Sequence, residues 1–406
     1  MTEPVRDNDG HPGPLSDLRV VEMGQLLAGP FSGQLFADFG AEVIKLEPPN
    51  QGDPLRVWGQ DRTDGKALWW SVLGRNKKSV TCNLRLPEGQ QLARDIIATA
   101  DVLIENFRSG TIERWGMSPE ELWEINPGLV ILRVTGFGQS GPMQYEAGYG
   151  AVGEAMGGLR YVTGDPDRMP SRAGISIGDT LAATFGTVGA LMALHARHRT
   201  GKGQIVDSAL YEAVLAVMES LVIDYDQAGY VRERTGSILP KIAPSNVYET
   251  KDGQMLIAGN GDSIWKRMAA GMGMPELGDD PRYATHEARG ARQAELDDLI
   301  NGWTRTKTND EVDAAMTEAK VPHGKIFTAA EMLEDAQFKA RESIIRVMHP
   351  EFGKVAMQNT FPKLSDTPGE VRWVGPQLGE HTEQILKDVL GKSDDDLAAL
   401  RAADVI

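Results

Sequence analysis

The stretch "SRAGISIGDTLAATFG", Ser171 to Gly186, holds the residue best placed by its neighbours to do chemistry. An apolar run meets Gly178, then a single acid, Asp179, then a long apolar stretch broken only by small residues. Burying a carboxylate is costly unless it is paired or used. Two uses fit the pattern. Aspartate is a good helix N-cap, and Asp179 stands just before a helical run. A carboxylate at a helix N-terminus also keeps its charge for chemistry, and neighbouring N–H groups can hold a developing oxyanion. Gly178 leaves room for a bulky reacting centre. The pattern leaves both uses open, and they are compatible.

Other patterns point away from familiar chemistries. "GFGQSG" (136–141) follows an apolar strand and matches G-x-G-x-x-G, but Pro142 and a poorly helical segment follow, so the helix that a dinucleotide site needs is not expected there. The seven histidines are scattered, with no H-E-x-x-H, and no G-x-S-x-G elbow occurs. His195 and His198 lie among basic residues near an expected helix C-terminus, where cations suit the dipole better than a metal site. No metal site is expected. The single cysteine, Cys82, excludes a disulfide framework and fits a reducing cytoplasm. "GRNKKS" (74–79) is basic, and Lys45, Arg56, Arg85, Arg108 and Arg114 enlarge the bias. In a chain of net charge −16, from 42 basic and 58 acidic residues, that bias suggests a site for phosphate or carboxylate groups, while a nucleic-acid partner is not expected.

The elements around these residues indicate an α/β protein. A chain of 406 residues is too long for one ordinary core, so more than one domain is expected. "LRVVEM" (18–23), "AEVIKLE" (41–47), "DVLIEN" (101–106) and "LVILRV" (129–134) are apolar runs of strand length. Helical patterns such as "SGQLFADFG" and "PEGQQLARDIIATA" separate them, which predicts a parallel sheet with helices on its faces. Residues 136–178 are glycine-rich and read as a long functional loop. A helix after Asp179, the strand "QIVDSAL", a helix over 210–229 and a linker over 230–245 follow. "NVYETKDGQMLIAGNG" (246–261) reads as a hairpin, opening a smaller α+β unit. The apolar run Leu181–Ala196 is shorter than the roughly 20 residues that a membrane span needs, so a buried helix is expected there. The polar opening "MTEPVRDNDGHPGPLSD" shows no signal-peptide pattern and is expected to fray.

Taken together, these segments resemble the class III CoA-transferases, a family that includes formyl-CoA:oxalate, carnitine and succinyl-CoA:dicarboxylate CoA-transferases and the α-methylacyl-CoA racemases. The resemblance rests on "PLSDLRVVEMGQLLAGPFSGQLFADFGAEVIKLEPP", "GDPLRVW", "GRNKKSVTCNLRLPEGQ", "ADVLIENFRSGTIERWGM", "NPGLVILRVTGFGQSGP", "IGDT" with "RTGKGQIVDSALYEAVL", and "LGEHTEQIL", in that order. It implies that Asp179 is the nucleophile. It implies that Gln25, Leu27, Arg85, Asn106, Phe107 and Arg114 contact coenzyme A, and that Trp58, Tyr149 and Gly178 lie near the acyl group. The implied fold is an interlocked homodimer of ring-shaped chains. Each chain has a Rossmann-like large domain built from both ends (1–225 and 331–406) and a small domain with linkers (226–330).

The implied reaction exchanges CoA between an acyl-CoA and a carboxylic acid through an aspartyl-CoA thioester, with CoA thioesters as substrates and no permanently bound cofactor. No membrane partner is implied. Two departures bear on substrate. Leu27 stands where the formyl-CoA enzymes carry glutamine, and "AGNGDS" (258–263) replaces their run of four glycines. The "NKKS" form points instead to the succinyl-CoA and dicarboxylate branch. A racemase needs a second proton carrier, and Tyr149 stands where the racemases have histidine. A CoA-binding protein without catalysis is the remaining alternative, which the intact Gly178-Asp179 pair disfavours.

Overall fold

The structure is a computed structural model that describes residues 13–59, 62–63 and 66–406; the polar opening stretch up to residue 12, with His11, lies outside them. Contacts divide the chain into two units. Among the described residues the first comprises those from 13 to 159, 173–220 and 340–406, and the second 160–172 and 221–339. The lines fall at 220/221 and 339/340, where the sequence suggested 225/226 and 330/331, and the short segment 160–172 joins the second unit.

In the first unit, β1 (Arg19–Glu22) leads into α1 (Ala28–Asp38) and β2 (Glu42–Glu47). β3 (Lys77–Thr81), α2 (Pro87–Ile97), β4 (Val102–Glu105), α3 (Thr111–Arg114) and β5 (Val130–Thr135) follow. α4 (Gly150–Met156), α5 (Ile177–Thr200) and β6 (Ile205–Ala209) complete the sheet region. The six strands are all parallel, in the order β3-β2-β1-β4-β5-β6. That is the doubly wound order, which reverses between β1 and β4. Every residue of β4 and β5 is buried, as strands covered on both faces must be. One face packs α1 and α5 through Phe36, Ala37, Ala182, Ala190 and Leu194. The other packs α2 and the C-terminal helices through Leu92, Ile96, Ile385 and Leu397.

α5 is longer than its sequence suggested. It runs for 24 residues, and among the described residues it is the one helix long and apolar enough to cross a membrane by length and composition. Alanines and glycines at 178, 182, 183, 186 and 190 bury its inner side against the sheet and α1. The expected helix over 210–229 is two helices, Leu210–Leu215 and Leu221–Ala228, separated by a turn in which Glu219 has φ 53°. The expected loop 136–178 contains α4 and a further turn of helix at Leu159–Val162.

The second unit is an antiparallel sheet of β7 (Ser245–Glu249), β8 (Gln254–Ala258) and β9 (His323–Lys325), in the order β9-β8-β7. The sheet packs on helices through Tyr248, Met255, Ile257, Trp265 and Ile300. The tail of the first unit adds the hairpin β10 (Ile344–His349) and β11 (Gly353–Gln358).

Candidate active site

Asp179 is not the cap of its helix. α5 starts two residues earlier, at Ile177, with Ser176 in the N-cap position, so Asp179 lies in the first turn. A negative charge there is stabilised by the positive end of the helix dipole. The side chain is half-buried. Across from it stands the first residue of α4, Gly150, so close that a Cβ at position 150 would collide with the Asp179 carboxylate. A Cβ on Gly178 would lie 2.9 Å from the Gly150 carbonyl oxygen and 3.3 Å from Cγ of the buried Glu154. Two glycines therefore let the N-terminal turns of α4 and α5 meet around one carboxylate.

Tyr149, at the N-cap position of α4, is exposed beside this meeting point. α5 immediately precedes the parallel strand β6, so its N-terminus lies at the carboxyl edge of the sheet. α1 begins at the same edge, after β1. The two helices are tied by Ser32, whose hydroxyl donates to the carbonyls of Ala28 and Ala183, both at 3.2 Å.

Most of the remaining expected residues gather at the strand reversal, outside the carboxyl ends of β1 and β4, where doubly wound sheets bind ligands. The Gln25 amide donates to Asn106 Oδ1 at 2.8 Å, and Asn106 Nδ2 donates back to the Gln25 carbonyl at 2.9 Å. Next to them Leu26 adopts φ 64°, a conformation that costs a residue with a Cβ about 1–2 kcal/mol. Leu27 packs with Phe31 on Leu55, Trp70 and Leu73. Trp58 follows the short helical turn Pro54–Arg56 and is 45% exposed.

Phe107 donates its amide to Glu105 at 2.7 Å and sets its ring edge-on to Trp115, with centroids 5.1 Å apart. Burial pushes the Glu105 carboxyl above its ordinary range, against the opposing Arg133 guanidinium. Arg133 donates to Glu105 and to Glu113 at 2.7 Å each, and so joins the Asn106–Phe107 segment to the helix that carries Arg114. Arg114 is exposed at the end of α3, with its guanidinium 3.1 Å from the Thr111 hydroxyl.

Arg85 stands apart from these groups, exposed beside the C-terminal tail, where the neighbouring Asn83 amide donates to the Val405 carbonyl at 2.8 Å. A cavity of about 760 Å³ opens nearby, lined by Asn50, Thr81, Thr382, Lys387, Arg401 and Ile406 among others. It does not include Asp179.

The basic run "GRNKKS", with Lys45 and Arg56, does not form an open anion site. Arg75 is buried on Asp38, with contacts of 2.9 and 2.6 Å, and donates to the Gln358 carbonyl. Lys78 pairs with Glu42 and Arg56 with Glu47, each at 2.7 Å. Lys45 and Lys77 are fully buried among acids. Arg85, Arg108 and Arg114 remain exposed. "GFGQSG" forms turns, with Gly138 and Gly141 at φ 83° and 84°, and opens no helix. His195 and His198 lie in the C-terminal part of α5, and among the described residues no group of three or more His, Cys, Asp or Glu could hold a metal ion.

Sequence reasoning missed Gly150 as a partner of Asp179, and it missed the buried acids and lysines behind the Gln25–Leu27 turn. The available signal was a charge inside an apolar strand, as in Lys45 of "AEVIKLE".

Fold and site together define a doubly wound α/β protein with a half-buried carboxylate held at a helix N-terminus on the carboxyl edge of its sheet. A profile of CoA-transferase family III matches residues 15–382, and the chain belongs to that family. It is 57% identical, over 97% of its length and 98% of the relative's, to the succinyl-CoA–D-citramalate CoA-transferase of Chloroflexus aurantiacus. It is 38% identical, over 97% and 98%, to the beta subunit of that organism's succinyl-CoA–L-malate CoA-transferase. The crystal structure of a CAIB/BAIF family protein from Brucella suis superposes with a TM-score of 0.83 at 36% identity, covering 93% of this chain and all of that one.

Proposed function

We propose that this enzyme moves CoA from succinyl-CoA to a free dicarboxylate, a C4 or C5 hydroxy acid such as citramalate or malate, through an aspartyl-CoA thioester at Asp179. One observation carries the role of Asp179: its carboxylate lies in the first turn of α5, pressed against the Cα of Gly150 at the start of α4. The names of the relatives, which pair succinyl-CoA with D-citramalate and L-malate, support the substrates.

Each step keeps its balance. A carboxylate oxygen of Asp179 attacks the thioester carbonyl and expels CoA thiolate, leaving a mixed anhydride. The thiolate attacks the Asp179 carbonyl carbon, releases succinate and leaves the aspartyl-CoA thioester. The acceptor carboxylate attacks that carbonyl and expels the thiolate again. The thiolate then attacks the acceptor carbonyl of the second anhydride, giving the new acyl-CoA and restoring the Asp179 carboxylate. Covalent catalysis divides one difficult exchange into easier ones. The amides and dipoles at the starts of α4 and α5 are the groups that would steady the oxyanions. Gln25, Leu27, Asn106, Phe107 and Arg114 would hold the CoA chain, with Arg85 toward its nucleotide end. Trp58, Tyr149 and Gly178 would border the acyl group.

The working form in this proposal is an interlocked homodimer in a reducing cytoplasm. Phe185, Val188 and Met192 support a covered surface: they stand on one side of α5 at helical spacing and are 43%, 42% and 65% exposed in the single chain.

A transfer assay in deuterated water tests the activity. Succinyl-CoA with D-citramalate, L-malate or glutarate is expected to yield a new acyl-CoA with no deuterium at its α-carbon. Deuterium uptake without transfer would make the enzyme a racemase, and CoA binding with neither reaction would remove catalysis from the proposal.

A further inference from the structure

Leu26 holds a left-handed backbone that glycine would take readily and leucine takes only under constraint. The constraint is Asp53. Its Oδ1 accepts the Leu26 amide at 3.1 Å and the Leu55 amide at 2.9 Å, while its Oδ2 lies 2.8 Å from the Lys45 ammonium. Lys45 also donates to Glu22 and to the Gly24 carbonyl, both at 2.7 Å. Glu22 in turn meets Lys77 at 2.7 Å, and Lys77 donates to the Pro30 carbonyl at 2.6 Å. All four side chains are buried, two of each sign. Burial alone would raise the Asp53 carboxyl, but Lys45 and the Leu55 and Leu26 amides outweigh it and hold it below the usual carboxylate range.

A buried ion cluster kept for stability alone is a weak device, since well-packed apolar residues often serve as well or better. This cluster does something apolar residues cannot do. Three of its members bond to backbone groups that frame one turn: Lys45 at Gly24, Asp53 at Leu26 and Lys77 at Pro30. That turn carries Gln25 and Leu27 at the strand reversal.

We infer that Asp53 is a positioning residue for the transfer reaction. With Lys45 behind it, it holds Leu26 left-handed and so shapes the Gln25–Leu27 turn to receive the CoA chain. The inference deepens the proposed function and rests on its assignment of this turn to CoA. Asp53 is only 1% exposed, so in this reading it acts on CoA through Leu26 and not by contact. Its loss should therefore weaken CoA binding and leave the chemical step at Asp179 intact.

The test is a rescue. K45M/D53L removes one charge of each sign, leaves the Glu22–Lys77 pair balanced and deletes the acceptor for the Leu26 amide. The Kd of CoA, by titration calorimetry, and the KM of succinyl-CoA are each expected to rise about tenfold through lost preorganisation. The kcat should stay within about threefold, because only binding common to ground and transition states is lost. Adding L26G should restore the Kd, because glycine takes the left-handed turn without the steric cost that leucine needs the strap to offset. If the double variant does not fold, K45Q/D53S takes its place: it too removes one charge of each sign, and serine can still cap the Pro54–Arg56 turn but is too short to reach Leu26 as well. An unchanged Kd, or a rise that L26G does not reverse, would overturn the positioning role. Wild-type protein that binds no CoA would overturn the CoA assignment as well, which sets that failure apart.

Discussion

A carboxylate that attacks a thioester must be charged, open on one side and fixed on the other. Asp179 stands in the first turn of α5, where the helix dipole favours negative charge, half-buried and with Gly150 packed against its carboxylate. The glycine is the sensitive neighbour, because a methyl at position 150 would occupy the carboxylate's space. Gly150→Ala is expected to lower kcat about 100-fold, the scale of an ångström-sized misplacement, while CoA affinity stays within about threefold. Steady-state kinetics with calorimetric CoA titration checks this; a normal kcat would mean that the contact does not set the position of the nucleophile. Asp179 stands out in the sequence as a single acid inside an apolar stretch. Its place inside the helix was not legible, because "ISIG" falls in the stretch 136–178 read as a loop, and the helix in fact starts within it, at Ile177. Gly150 was not legible either, since nothing local marks a glycine whose neighbour lies in another segment.

At the scale of elements, the strands were legible because β1, β2, β4 and β5 are continuous apolar runs, and sheets covered on both faces require that pattern. The charges inside and beside them were not. "GRNKKS" looked like an anion site, but it anchors the C-terminal tail. Arg75 bonds Asp38 and the Gln358 carbonyl. Asn76, at φ 61°, receives the amides of Arg372 and Trp373 on its Oδ1 and donates to the Glu370 carbonyl. Partners that distant in sequence leave no local trace. The same knot changes the meaning of the "NKKS" form. Arg75, Asn76 and Lys77 turn inward, so these three side chains serve the fold and are not open to a substrate in this chain. The turn Gln25–Leu27 repeats the lesson: the motif was visible, but the buried cluster that bends it was not.

At the scale of the molecule, the described residues from 13 to 159 and from 340 to 406 belong, with 173–220, to one unit, and residues 221–339, with 160–172, form the other. This layout suits the linked-ring dimer of the proposed function, in which neither chain can leave without unfolding. Tagged and untagged protein mixed under native conditions should then form no hybrid over days, as read by affinity capture and native mass spectrometry. Rapid hybrid formation would exclude the interlock.

In the proposed reaction CoA is carried on Asp179, and trapping that species tests this most directly. Protein incubated with succinyl-CoA and then digested is expected to show CoA attached to the peptide that contains Asp179, as a thioester that hydroxylamine cleaves and borohydride reduces to an alcohol at the same residue. Asp179→Asn should fold, bind CoA, carry no adduct and transfer nothing. An adduct on a different residue, or near-normal transfer by the Asn variant with reversion to aspartate excluded by mass, would contradict the account.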